Sequence, residues 1–260
     1  MIITGMDITN STERFSDRVA DYVKYRPSYP PEVVDMIITE SQFDQQISVA
    51  DIGSGTGIFS KLLLNHHMNV IGVEPNEGMR RAAEQQLSQY ENFSSVNGQS
   101  ENTTLADTSI DLITAAQAFH WFKGEETKRE FSRILKPGGY LALIWNQRDL
   151  TQSFQQEYDR VLRKFAPDYN SVNHMNISPT DIEDFVYPAK MSLFNFEYQQ
   201  IFDLPGLLGR MQSSSYTPEE NTREHAALID AVEKLFNRFE SNGSISFEYS
   251  TRLYLAQFPS

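Results

Sequence analysis

Cysteine is absent from the 260-residue chain. That excludes disulfides, thiolate metal ligands and any covalent cysteine mechanism. Long apolar runs are missing as well. The longest, Tyr140 to Trp145, falls far short of the roughly 20 residues that span a bilayer. The opening MIITGMDITN has no basic region and no small-residue cleavage site, so a cytoplasmic location is expected. Basic charge is scarce: 22 Lys and Arg stand against 35 Asp and Glu, a net charge of −13. Such a chain repels nucleic acid unless it hides a basic patch. The densest basic pairs, Arg80-Arg81 and Lys128-Arg129, each have glutamates close by. No His, Asp or Glu set has metal-ligand spacing, so no metal is expected. Internal repeats and low-complexity segments are absent too.

What remains is a composition with a core: 40% hydrophobic and 12% aromatic. The length suits one large domain, or one domain with an insertion. From Ile47 to Gln147 short apolar runs alternate with helical stretches. ISVADIG (47–53), NVIGVEP (69–75), Phe93 to Asn97, IDLITAAQ (110–117) and YLALIWN (140–146) read as strands. Helices are expected over Ile58–His66 with Leu62 and Leu63 inward, from Asn76 as cap to about Tyr90, and over Gly124–Leu135. Lys136-Pro137-Gly138-Gly139 should stop that last helix and turn the chain. Strands alternating with helices imply parallel β-α-β units and a sheet covered on both faces.

The flanks differ. Residues 12–25 look helical, and Arg26-Pro27-Ser28-Tyr29-Pro30-Pro31 breaks that helix and starts another near Glu32. Residues 151–190 read as helix followed by irregular chain. Residues 192–202 alternate as a strand, Glu219–Glu240 is helical, and 245–257 is a strand or a pair of strands.

The most informative stretch is Asp51-Ile52-Gly53-Ser54-Gly55-Thr56-Gly57, between an apolar strand and a helix. Such glycines let the backbone turn sharply and approach a ligand closely. Ligands of α/β sheets bind at this carboxyl end of the first strand. A P-loop is excluded, because no Gly-Lys-Ser/Thr follows. Dinucleotide enzymes show G-x-G-x-x-G; here the third glycine comes one residue early, which fits a cofactor without a pyrophosphate. Glu74 ends the second strand, 21 residues after Gly53. A carboxylate there can accept bonds from both hydroxyls of a ribose, a role common to dinucleotide and adenosyl cofactors.

DIGSGTG, the strand ending in Glu74, LKPGG and the β-α alternation together resemble class I S-adenosylmethionine-dependent methyltransferases over about residues 45–147. FSDRVADYVKYRPSYP (15–30), AQAFHWF (116–122) and GLLGRMQSSSYTP (206–218) further resemble the trans-aconitate-methyltransferase-like proteins of the methyltransferase type 11 group. The resemblance implies a doubly wound, Rossmann-like α/β fold with a mostly parallel seven-stranded sheet and an antiparallel final strand. It implies a helical cap over 1–44, a cofactor-binding core over 45–147, a lid insertion over 148–190 and the rest of the sheet over 191–260, in one compact domain. Asp51, Gly53, Ser54, Gly55, Thr56 and Gly57 would shape the pocket for the methionine part of S-adenosylmethionine. Glu74 and Pro75 would meet the ribose, and Gln99, Ser100 or Glu101 the adenine. Gln117 would lie beside the sulfonium. Many members have an acid directly after the glycine of the adenine loop; this chain has Gly98-Gln99 instead.

On the acceptor side the candidates are Tyr22, Arg26, Tyr29, Trp121 and Arg210; Arg210 with Ser213, Ser214 and Ser215 is either a site for an anionic or polar substrate or an ordinary polar loop. His120 is a candidate base, or else packs the mouth of the pocket with Trp121 and Phe122. Methyl transfer from a sulfonium needs alignment and exclusion of water more than it needs a base. The expected partner is a small-molecule acceptor, methylated on a carboxylate or hydroxyl, with no nucleic acid or membrane, in a monomer or homodimer. Cytosine C5 methylation would need the missing cysteine. An S-adenosylmethionine-binding module without transferase activity is the alternative, and a nicotinamide oxidoreductase is opposed by the glycine spacing.

Overall fold

A computed structural model of the chain describes residues 24–44, 46–122, 124–169 and 178–258. Along the core run β1 (Ser48–Ile52), α2 (Ile58–Asn65), β2 (Asn69–Val73), α3 (Glu77–Gln86), β3 (Phe93–Val96), β4 (Ile110–Ala116), α4 (Gly124–Ile134) and β5 (Leu135–Arg148). Helix α1 (Glu32–Ser41) precedes them. After them come α5 (Ser153–Phe165), α6 (Pro179–Val186), β6 (Met191–Phe202), α7 (Leu204–Gln212), α8 (Arg223–Phe239) and β7 (Ile245–Gln257). The strands form one sheet in the order β3-β2-β1-β4-β5-β7-β6. The first five strands pair in parallel, and β7 lies antiparallel between β5 and β6. The expected Rossmann-like, mostly parallel seven-stranded sheet is therefore present.

Alternation along buried strands builds a core on each face. Ala50, Ile113 and Leu143 pack with Phe131, Ile134 and Phe185 on one side. Val49, Leu112 and Ile144 pack with Val33, Ile37 and Leu63 on the other. A third cluster joins α5, α7 and α8 to the far half of β7 through Tyr158, Leu162, Leu207, Val232 and Phe247.

Several elements differ from the sequence expectation. Helix α2 buries Leu63 and Leu64 while Leu62 is half-buried, because Phe59 and Ser60 set the inward face. Asn76 does cap α3, accepting from the Met79 amide at 2.9 Å, but the helix ends at Gln86 rather than near Tyr90. Lys136 to Gly139 do not separate α4 from β5; they belong to the start of β5. Ile110 pairs with Leu135 and Leu112 with Tyr140, so the four residues bulge opposite Asp111. Gly138 supplies the positive φ of 81° that this bulge uses. Lys136 anchors it by pairing with Asp111 at 2.8 Å. Within the irregular stretch expected before 190, α6 forms behind a capping box of Ser178 and Asp181 with Pro179 at the first turn. The stretch around Arg210 is helix α7 as far as Gln212, capped by Asp203, and Ser213 to Ser215 follow its end.

Candidate active site

The glycine loop leaves β1 at the edge where the parallel strands end. Gly53, Gly55 and Gly57 all have positive φ, at 68°, 58° and 81°. Gly53 and Ser54 amides donate to the Val73 carbonyl at 2.8 and 3.3 Å, which ties the loop to the end of β2. A Cβ on Gly53 would meet Ala118 Cβ at 2.7 Å, whereas one on Gly55 would meet nothing within 4 Å among the described residues. Gly57 is the N-cap of α2.

One cavity opens at this edge. Gly53, Gly55, Glu74, Pro75 and the 98–101 loop line one part of it. Arg26, Tyr29, Gln117, His120 and Trp121 line it further along, and Arg148, Tyr169, Arg210, Tyr216 and Tyr249 complete the wall. Most of the expected site residues thus share one wall. Asp51, Ser54, Thr56 and Gly57 lie outside the lining. Tyr22 lies outside the described residues.

Glu74 is buried and accepts the Gly55 amide on Oε2 at 2.9 Å and the Asn76 amide on Oε1 at 2.8 Å. Burial pushes its pKa up against these two bonds and the charge of Arg80. Each carboxylate oxygen keeps a further lone pair. Gln117 has a φ of 58°, an unusual conformation for a residue with a side chain. Its Nε2 donates to the Asn146 carbonyl at 3.0 Å, and its buried Oε1 has no hydrogen-bond partner among the described residues.

The 98–101 loop is held from α4. Glu130 Oε1 accepts both the amide and the hydroxyl of Thr103, at 2.8 and 2.6 Å. Ser100 and Thr127 share a hydroxyl contact at 3.0 Å, and Ser100 also donates to Glu101 at 3.0 Å. Burial opposes the Glu130 charge, but Arg133 and Thr103 outweigh it and hold the pKa down to about 2. Gln99 is exposed beside these buried supports.

Asp51 sits behind the loop. Its carboxylate accepts from Ser60 at 2.6 Å and Thr114 at 2.9 Å, joining β1 to α2 and β4. Burial drives its pKa up to about 6 despite these bonds. For an acid with a raised folded pKa, the stability it contributes is present below about pH 4 and lost as pH rises through about 6. Asp51→Asn keeps hydrogen-bonding atoms but carries no charge. The stability of this variant relative to the parent should therefore rise by about 2 kcal/mol between pH 4 and pH 7. Urea unfolding at both values measures it; a gap independent of pH would refute the buried charge as the cause.

His120 lines the cavity in a short 3-10 turn with Phe119 and Trp121. Its ring lies 4.7 Å from that of Trp121. Burial lowers its pKa to about 4, so the imidazole is neutral at pH 7. The segment before α1 is tied across the core: Arg26 Nη2 donates to the Ser213 carbonyl at 3.1 Å, and Asn146 Nδ2 to the Ser28 carbonyl at 2.8 Å. Tyr29 packs edge-on against Phe59 at 5.3 Å.

Sequence reasoning did not single out Arg148, Tyr169, Tyr216 or Tyr249. Arg148 ends β5 and is paired in register with Tyr249 of β7. No local pattern marks a site that two strands distant in sequence assemble. Arg210 of α7 also lines the cavity, donating to the Tyr249 hydroxyl at 3.3 Å and to Ser214 Oγ at 3.0 Å. Among the described residues, no group of three or more His, Asp or Glu is placed to hold a metal, and no helix is long and apolar enough to cross a membrane.

Comparison with known proteins gives the class. The methyltransferase domain family matches residues 50–143, the stretch from β1 through the middle of β5. A methyltransferase-like protein of Schizosaccharomyces pombe is 30% identical over 250 residues, covering 94% of each chain. Among solved structures, the YcgJ protein of Bacillus subtilis aligns with a TM-score of 0.57 at 18% identity, over 88% of this chain and 99% of its own. Phosphoethanolamine N-methyltransferase 2 of Haemonchus contortus, solved in complex with S-adenosyl-L-methionine, aligns with a TM-score of 0.60 at 12% identity, over 100% of this chain and 62% of its own. The chain belongs to the methyltransferase family, on the class I fold whose members take their methyl group from S-adenosylmethionine.

Proposed function

We propose that the cavity binds S-adenosylmethionine and methylates a small molecule, on a carboxylate or hydroxyl oxygen. The observation that carries this is one continuous wall joining the glycine loop and Glu74 to aromatic and basic side chains from outside the parallel core. The residues present fit the cofactor. Open space beyond Gly55 Cα admits a ligand against the backbone. Lone pairs on buried Glu74 suit ribose hydroxyls, and the unpartnered Gln117 Oε1 suits an ammonium group. Ser100 and Glu101, in a loop that Thr127 and Glu130 of α4 hold, are the adenine-side candidates.

When bound, the cofactor supplies a methyl group on a sulfonium, open to in-line displacement. The chain's own part is to orient the acceptor and exclude water. A carboxylate arrives ionised and needs no base. A hydroxyl could hand its proton to neutral His120 Nδ1 or Nε2, although a pKa near 4 makes it a weak acceptor of protons. His120 is therefore read chiefly as a positioning and packing residue beside Trp121. The trans-aconitate-like subgroup, a cytoplasmic setting and a monomer or homodimer are part of the same proposal.

Titration of the purified protein with S-adenosylmethionine, S-adenosylhomocysteine and NAD should show binding of the first two and none of NAD. Binding of NAD alone would move the site to the oxidoreductases. His120→Phe should keep cofactor affinity within about threefold and lower turnover by less than about tenfold; general base catalysis typically contributes about 100-fold or more. A loss above about 100-fold on a hydroxyl acceptor would make His120 the base.

A further inference from the structure

Helix α4 grips the connection between β3 and β4 at three places, each about one helical turn from the next. Thr127 meets Ser100 hydroxyl to hydroxyl at 3.0 Å, Glu130 accepts from the Thr103 hydroxyl at 2.6 Å, and Arg133 pairs with Asp107 at 2.5 Å. Residues three apart share a helix face, so these three side chains form a row along the connection. The first two rungs fall on the turn whose residues 98–101 line the cavity. Gln99 and Asn102 close that turn by exchanging backbone hydrogen bonds, both at 3.1 Å. From the other side, a Cβ at Gly98 would meet the Thr103 carbonyl at 2.8 Å and Val73 Cγ1 at 2.9 Å, so the turn has no slack toward β2. Both rungs are also directional. Glu130 Oε1 takes three donors: the Thr103 amide at 2.8 Å, the Thr103 hydroxyl at 2.6 Å and Arg133 Nη2 at 2.7 Å. Ser100 has one hydroxyl proton and donates it to Glu101 at 3.0 Å, so toward Thr127 it is the acceptor. A line of hydroxyls thus runs from buried Thr127 through buried Ser100 to a carboxylate on the cavity wall. The Arg133 pair would tether the connection by itself. The two buried rungs do more, because a satisfied buried polar network fixes one geometry for the atoms it ends on.

We propose that Thr127 and Glu130 are positioning residues that set the preference of the cofactor site for an adenine base. Neither lines the cavity; they act through Ser100 and Thr103, holding the turn so that Ser100 and Glu101 face the base. A carboxylate held there can accept from the exocyclic amino group of adenine. Hypoxanthine carries an oxygen at that position, which offers no proton and faces the carboxylate acceptor to acceptor. The preference therefore depends on how firmly the turn is aimed, and α4 aims it. The inference rests on the S-adenosylmethionine reading of the same cavity.

The test titrates S-adenosylhomocysteine and S-inosylhomocysteine, which differ only in the base, into the parent protein and into Thr127→Val, Thr127→Ser and Glu130→Gln. The parent should prefer the adenosyl ligand by at least about tenfold. Thr127→Val keeps nearly the same shape but gives Ser100 no donor, and Glu130→Gln puts an amide nitrogen where a carboxylate oxygen accepts. Each should cut the preference to below about threefold, by weakening the adenosyl ligand and leaving the inosyl ligand nearly unchanged. Thr127→Ser restores the hydroxyl and should recover the preference. Thermal unfolding of the same variants separates support from aim. A lower melting temperature with undiminished preference in both Thr127→Val and Glu130→Gln would make the row a fastening of the fold and overturn the proposal. Equal affinity of the parent for the two ligands would overturn it as well. Should Glu130→Gln not fold, Thr127→Val, which leaves the Glu130 bonds in place, decides alone. If the parent binds neither ligand, the cofactor reading itself fails and the proposal goes with it.

Discussion

Glu74→Ala should weaken S-adenosylmethionine binding by about 100-fold. The carboxylate fastens the Gly55 and Asn76 amides at 2.9 and 2.8 Å and, on the proposed reading, also accepts from the ribose hydroxyls. Hydrogen bonds to a charged acceptor contribute about 1.5–3 kcal/mol each, and about 3 kcal/mol corresponds to about 100-fold in affinity. Removing the carboxylate also strands two donors in a buried position. Glu74→Gln should cost less, about tenfold, because one oxygen survives. Its amide nitrogen cannot accept, so either the Gly55 or the Asn76 bond is lost. Titration with S-adenosylhomocysteine reads both variants. If both matched the parent in affinity, Glu74 would be a strand-end acid that serves only the loop backbone.

The parts of this site that were legible in the sequence are those written in local backbone chemistry. Three glycines at two-residue spacing after an apolar strand are readable because the turn itself demands positive φ, whichever ligand it serves. Asn76 is readable as a cap for the same local reason. The far end of the cavity was only half legible. Arg26 stood out with Tyr22 and Tyr29 around the proline break, and Arg210 with Ser213, Ser214 and Ser215. Arg148 and Tyr249 become neighbours only through the antiparallel register of β5 and β7, which sequence periodicity does not specify. Helix α6 did leave a signal: Ser178-Pro179 with Asp181 is a capping box with proline at the first turn. It went unread because the surrounding stretch is polar and proline-punctuated. The KPGG run was a true turn signal with the wrong consequence, since a bulge absorbs the turn inside β5.

The glycine loop offers a sharper separation of fold from function than any single deletion, because Gly53 and Gly55 face different neighbours. Alanine at Gly53 must hold a φ of 68° and place its Cβ 2.7 Å from Ala118 Cβ. Left-handed backbone costs a non-glycine residue about 1–2 kcal/mol, and overpacking about 1–3 kcal/mol. A loss of about 2–5 kcal/mol is expected, lowering the melting temperature by about 5–20 °C at a few degrees per kcal/mol. Adding Ala118→Gly removes the atom in the way and should recover the packing share but not the backbone share. Alanine at Gly55 has the same kind of φ, 58°, yet no atom within 4 Å of the new methyl. Its stability cost should be only the backbone part, about 1–2 kcal/mol. Its methyl instead occupies the space proposed for the cofactor, so affinity should fall by at least tenfold. Thermal unfolding and cofactor titration of the three variants should thus rank Gly53 as the residue that holds the loop against β4 and Gly55 as the one that leaves room for a ligand. If Gly55→Ala kept full cofactor affinity, the space beyond Gly55 would not be where the cofactor lies.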